Sequence, residues 1–272
     1  MKKALFILTF LYSCLLFSQT NTFVYEMKYK PCQEKDSTKM QNMILDFSNS
    51  KSIFRSSKEK DSDSILAYTK KITNYPLGFD DQFYIIKDLS QKKVTKLIQN
   101  STDTYTININ ESIDWKIDPE VVKIGDYSCQ KAMGNYGGRE WIAFFTSKIS
   151  VLDGPYVFHG LPGLIVKLYD TNKQYDFSLI QVKKGNSDLY DVRNKKNLNI
   201  SWNNLEKLSK QYYSDPYANM KPNSASNINR QVAFRDENGK VIEPDFKGWT
   251  KSKQNKIKSC NNPIEINHKI NY

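Results

Sequence analysis

The chain has 272 residues, a formal charge of +11, and 13 % aromatic and 25 % charged residues. That length suffices for one sizeable core, and basic residues scattered among acids specify no partner by charge alone. Two histidines and four cysteines without CxxC spacing argue against a metal centre and against a thioredoxin-like redox motif.

Lys2 and Lys3 precede an apolar run from Ala4 to Phe17, closed by Ser18 and Gln19. This is the layout of a secretory signal peptide over residues 1–18. The run is shorter than the ~20 residues a spanning helix needs. An alternative is a lipoprotein anchored at Cys14, since Leu11, Tyr12, Ser13 and Cys14 resemble a lipobox, although Leu15 to Phe17 continue the apolar run past it. Residues 19–272 are read as a single β-rich domain in which 200–272 form a helix, a hairpin and a basic tail. No later stretch is apolar enough to span a membrane. The expected location is the periplasm or the outer membrane.

Period-two alternation marks the strands. Phe23, Tyr25, Met27 and Tyr29 alternate with Val24, Glu26, Lys28 and Lys30; Met43, Leu45 and Phe47 repeat the pattern, as do Tyr105, Ile107 and Ile109. Phe83–Ile86 and Val94–Ile98 are shorter candidates. Tyr127–Met133 and Arg139–Thr146 form a predicted hairpin around Gly134, Asn135, Tyr136, Gly137 and Gly138. Apolar groups on both sides of the return strand (Trp141, Ala143, Phe145 against Ile142, Phe144) predict burial on both faces. Ile165–Tyr169 and Tyr175–Val182 make a further pair. Asp63 is the predicted cap of a helix to about Ile72, and Ser201 caps one carrying Trp202, Leu205 and Leu208. Residues 214–230 read as loop, and Gln231–Arg235 with Lys240–Ile242 as a small hairpin. Lys251, Lys253, Lys256 and Lys258 form the basic cluster, read as a solvated tail.

The fold class is mainly β (α+β): a single curved antiparallel sheet or half-barrel with two or three helices. The alternative is a β-sandwich. Rows of aromatic side chains on one face predict a concave surface that must be filled. The expected filling is an apolar ligand, or else segments 33–64 and 198–213 of the chain itself.

Chemistry is sparse. No GxSxG, HExxH or phosphate loop is present, so no catalytic, cofactor-binding or metal-ligating residue is assigned, and no cofactor is expected. A Ser-His-Asp site would need His159 or His268 as its base. With Cys14 removed, one disulfide can join a pair among Cys32, Cys129 and Cys260. The segment Asp153 to Ile165 is the most unusual. Pro155 and Pro162 fix φ while Gly160 and Gly163 are free to take positive φ. It reads either as a binding loop or as a packed corner, with Leu161, Leu164 and Ile165 buried in the latter case.

Gly160, Leu161, Pro162, Gly163, Leu164 and Ile165 spell GLPGLI, and the chain resembles the GLPGLI family of exported Bacteroidetes-type proteins. Trp115, Ile124–Tyr127, Cys129–Ala132, Gly138, Arg139, Trp141, Gly154, Pro155, Phe158 and the ending Asn262–Glu265 extend the match. Phe144 and Phe145 depart from it, since a Trp-Tyr pair is typical there. The resemblance implies export and a β-rich domain, and no reaction, because the family has no established catalytic residues. The expected function is a non-enzymatic binding or accessory protein of the periplasm or outer membrane. Its partner is an apolar ligand or an outer-membrane protein, and not nucleic acid. The alternative is a hydrolase with an unrecognised carboxylate or Ser/His site.

Overall fold

A computed structural model of the protein describes residues 20–32, 37–71, 78–101, 103–185, 188–193, 197–221, 234–235 and 237–272. The leader expected at 1–18 and most of the 214–230 loop lie outside the described residues.

Among the described residues, twelve strands form one curved, unclosed sheet. They are β1 (Thr20–Tyr29), β2 (Lys39–Ser48), β3 (Lys51–Ser56), β4 (Tyr84–Asp88), β5 (Lys93–Asn100), β6 (Asp103–Ile109), β7 (Lys116–Ile124), β8 (Tyr127–Tyr136), β9 (Arg139–Thr146), β10 (Leu164–Asp170), β11 (Tyr175–Gly185) and β12 (Leu198–Asn199). Their spatial order is β12-β6-β5-β4-β3-β2-β1-β11-β10-β9-β8-β7. Pairing is antiparallel except for the two-residue β12 beside β6. The single curved sheet is thus the architecture, and the sandwich alternative does not form. A separate hairpin joins β13 (Phe234–Arg235) to β14 (Val241–Ile242).

Three helices are described: α1 (Ser57–Thr69), α2 (Trp202–Ser214) and α3 (Phe246–Ser259). Ser201 caps α2 as predicted. The cap of α1 is Ser56 and not Asp63: its side chain accepts from the Glu59 N–H while Glu59 reaches back to the Ser56 N–H, a capping box. Asp63 lies about two turns further on, fully buried, and receives Arg55, Arg193 and the Tyr84 hydroxyl. The basic tail is α3, with its Lys253 paired to Asp80.

The inner face of the sheet holds the main core. Tyr25 sits opposite Met43 on one side and Leu179 on the other, and Met27 opposite Phe177. The apolar row of β1 therefore continues across β2 and β11. Trp141, Ala143 and Phe145 are buried on this face, whereas Ile142 and Phe144 are only half-buried on the other. Strand β9 is therefore not buried on both faces. On the outer face, α1 covers a charged layer in which Arg55 pairs with Asp46 at 2.9 Å and with Asp63 at 3.3 Å.

The inner face is filled by the chain itself, but not by the segments predicted to do so. Residues 149–163 loop inward between β9 and β10, burying Val151, Tyr156, Val157, Phe158 and Leu161 against the sheet. Phe158 packs on Trp141 with ring centroids 4.6 Å apart, and Tyr156 packs edge-on to Phe54 and Phe83. The C-terminal segment around Ile264 completes the plug.

Candidate functional site

The GLPGLI residues shape this inward loop. Leu161, Leu164 and Ile165 are buried, and the Tyr25 hydroxyl of β1 donates to the Ile165 carbonyl over 2.7 Å. Gly163 has φ +152, and a Cβ there would stand 2.2 Å from the Thr146 carbonyl oxygen, so backbone contact requires glycine. Gly160 has φ +89 with open space around it, so its requirement is conformational only. Pro162 is exposed, Pro155 is buried, and Gly154 lies against Ile165 where a Cβ would meet that side chain at 2.7 Å. The packed-corner reading of this segment is the one the burial supports.

Three buried polar nodes hold the plug in place. In the first, Asp153 accepts from Ser52 at 2.5 Å, from its neighbour's Gly154 N–H at 2.7 Å, and from the Lys87 ammonium. All three side chains are fully buried. Burial pulls the Lys87 amine below its ordinary pKa against the opposing pull of Asp153.

In the second node, Glu265 accepts from the Tyr156 hydroxyl at 2.5 Å, the Tyr136 hydroxyl at 2.9 Å and Lys96 at 2.9 Å. Burial alone would raise its pKa. Lys96 and the two phenols outweigh that, so the carboxyl is held below its ordinary value. Both phenols are pushed up by burial first and by Glu265 second, and stay protonated donors.

In the third node, Arg139 donates to Asp170 at 3.0 Å, Asn262 at 2.7 Å and the Pro263 and Ile264 carbonyls. It also lies 5.0 Å from the Tyr175 ring centroid. The Gly137–Gly138 turn beside it packs on the backbone at Glu265 and Asn267. Cys32 and Cys260 form a disulfide that ties the start of this segment to the end of β1, while Cys129 is free and buried.

Where the plug meets α2, two neighbouring cavities open. One of about 110 Å³ is walled by Phe79, Phe83, Tyr156, Leu205, Ser209 and Lys96, among others. The other, of about 230 Å³, is lined by Asn108, Asn110, Glu111, Tyr136 and Ile109. Both are bounded by Trp202, Glu265 and His268. The His268 ring stacks on Trp202 at 4.3 Å, and Ser209 is buried at the wall of the smaller cavity. The pKa of His268 is lowered, by burial first, with Glu265 and Glu111 acting in the opposite direction.

The two histidines are therefore placed apart. His159 is half-buried in the loop, with Nδ1 on the Val157 carbonyl at 2.8 Å, and burial lowers its pKa. His268 lines both of these cavities, and His159 lines neither. Trp141, Phe158, Arg139 and the glycines form the plug and its clamp, and none of them lines either cavity. No catalytic or binding motif in the sequence marks the cavity residues Lys96, Glu111, Trp202 and Glu265. Glu265 had only the ending Asn262–Glu265 as a signal, and Trp202 only its helical position. Among the described residues, no group of His, Cys, Asp and Glu is arranged to hold a metal ion, and no helix is long and apolar enough to cross a membrane.

Comparison with family models and with curated protein sequences gives no match. Two structures of PNGF-II, in the P21 and C2 space groups, are similar in fold, with TM-scores of 0.50 and 0.51 over 67 % and 71 % of this chain at 17 % identity. The chain spans about a third of the length of those proteins, 31 % and 33 %. A likeness at that identity is one of fold alone.

Proposed function

We propose that the protein is an exported, non-enzymatic binding protein of the cell envelope, whose ligand site is the cleft bounded by Trp202, His268 and Glu111. The observation that carries this reading is how the buried charges are used. Glu265, Asp153 and Asp170 each accept several donors from the chain itself: Tyr156 and Lys96 tie Glu265 to the loop and to β5, Ser52 and Lys87 tie Asp153 to β3 and β4, and Arg139 and the Tyr175 N–H tie Asp170 to β9 and β11. Groups so saturated serve as walls and anchors. The cleft adds the half-exposed Trp202 and the exposed Asn108, Asn110 and Glu111, a mixed apolar and hydrogen-bonding lining that orients a ligand. Cavities of about 110 and 230 Å³ fall below the ~300–1,000 Å³ of common small-molecule pockets. They suit a small polar ligand or one protruding side chain of a protein partner rather than a lipid. Export is supported by the Lys2–Phe17 leader pattern and agrees with the Cys32–Cys260 disulfide. The test is retention of envelope components on immobilised protein and on a Trp202→Ala variant. A species retained at least about tenfold better by the unsubstituted protein, ~1.4 kcal/mol, supports the reading. Equal recovery contradicts it.

A hydrolase is the second reading, because Glu111, Glu265 and His268 line one cavity. Against it stands the depressed pKa of Glu265, which makes that carboxylate a poor proton donor and a weak base. Turnover of ester or glycoside substrates that is abolished by both Glu111→Gln and His268→Ala would establish this reading instead.

A further inference from the structure

Lys87 and Asp153 are an unusual pair. The lysine projects from β4 on the inner face and the aspartate from the inserted loop, and both side chains are 0 % exposed. The Lys87 amine touches Asp153 Oδ1 and donates to the Gly154 carbonyl at 2.8 Å; among the described residues it pairs with no second carboxylate. The carboxyl group is gripped from two other directions, by Ser52 on Oδ2 at 2.5 Å and by the Gly154 N–H on Oδ1 at 2.7 Å. The other buried pairs differ in a way that matters chemically. Arg55 with Asp46 offers a guanidinium, which is not a nucleophile, and Lys96 beside Glu265 retains 11 % exposure.

We propose that Lys87 and Asp153 condense to an intramolecular isopeptide bond, a covalent cross-link between β4 and the GLPGLI loop. Proton transfer within the pair converts ammonium and carboxylate into a neutral amine and a neutral carboxylic acid. Burial favours that neutral form, since two full charges are costly to keep out of water, and burial also holds the Lys87 pKa down. The Nζ lone pair then attacks Asp153 Cγ, forming the Nζ–Cγ bond. One Cγ–O bond breaks, and its oxygen leaves as water with the carboxyl proton and one amine proton. Nothing is oxidised or reduced, and no co-reactant is needed. Ser52 and the Gly154 N–H are placed to bear the negative charge that grows on the carboxyl oxygens during the attack. Fixing amine and carboxyl in contact inside the core supplies the proximity that reaches effective molarities of ~10⁵–10⁸ M in well-oriented pairs. The product exchanges a buried ion pair for a neutral amide.

Mass spectrometry of the folded full-length chain, after denaturation and tryptic digestion, decides the matter. The expected product is a branched peptide joining residues 72–92 to residues 149–167, lighter than the two linear peptides by one water, with cleavage after Lys87 blocked. Lys87→Arg keeps the charge and removes the nucleophile, and its digest is expected to contain only linear peptides. Asp153→Asn leaves an electrophilic carbonyl, and its cross-link forms with loss of ammonia instead of water. Linear peptides of full mass in the unsubstituted protein, with cleavage after Lys87 intact, overturn the proposal and leave a plain buried ion pair.

Discussion

The hydroxyl of Tyr156 donates to Oε1 of Glu265 over 2.5 Å, joining the inserted loop to the C-terminal segment across 109 residues of chain. Tyr136 donates to the same oxygen from the end of β8, and Lys96 reaches the other oxygen from β5. One carboxylate thus ties a loop, two strands and the C-terminal segment together.

Glu265→Gln removes the charge that pairs with the nearly buried Lys96. The loss is expected to be ~3–5 kcal/mol in urea unfolding, as for a buried pair broken from one side. The pH dependence follows from the same group. Its folded pKa lies below the ordinary 4.5, so its contribution is present above the unfolded value and is lost as pH falls through the folded one. Acid titration of stability is therefore expected to fall below about pH 4.5 in the unsubstituted protein and to flatten there in Glu265→Gln.

The two glycines of the signature are expected to differ. At Gly163 a methyl group would run into the Thr146 carbonyl, a backbone atom that cannot turn aside. At Gly160 the space is open and only the positive φ is unfavourable, ~1–2 kcal/mol. Thermal unfolding of Gly163→Ala should therefore show a much larger loss than Gly160→Ala. Equal losses would mean that the close approach to Thr146 is not a constraint.

Leu164→Ala is expected to cost ~2–5 kcal/mol, as for a large-to-small change at a fully buried leucine. A change near zero in a denaturant titration would remove the packed-corner account of the signature.

The cysteines give a chemical readout. Cys32 and Cys260 lie 228 residues apart in sequence, so reduction removes a long loop constraint and should cost ~2–5 kcal/mol. Cys129 is buried, and burial raises its thiol pKa. A thiol reagent is expected to label Cys129 only in denaturant; labelling of the native protein would place it at the surface.

Much of the sheet was legible from alternation. Phe23 to Tyr29 announces β1 because one face is apolar, and Arg139 to Thr146 announces β9 as an apolar run entered from a glycine-rich turn. Strand β3 was not legible, since Arg55 near the end of Lys51–Ser56 is a charge turned into a buried ion layer. Strand β7 is an edge strand carrying Pro119, mostly exposed, so it lacks a buried face to alternate against. The capping box Ser56-Ser57-Lys58-Glu59 was present in sequence, yet Asp63 drew attention as a helix cap when its role is an ion pair. Arg139, Asp153 and Glu265 fall within the segments the sequence singles out, but which residues they pair with could not be read. Each joins residues that are far apart in sequence, 169 positions for Lys96 with Glu265, and no local pattern marks such partners.

Residues 149–163 and the segment around Ile264 fill the inner face of the sheet, and the small Trp202–His268 cleft lies beside them. Native mass spectrometry of protein isolated from its own envelope measures this directly. The prediction is a spectrum without any lipid-sized adduct, in which any adduct present is small and disappears in Trp202→Ala. A lipid-sized mass that survives in Trp202→Ala and is lost only on organic extraction would contradict it.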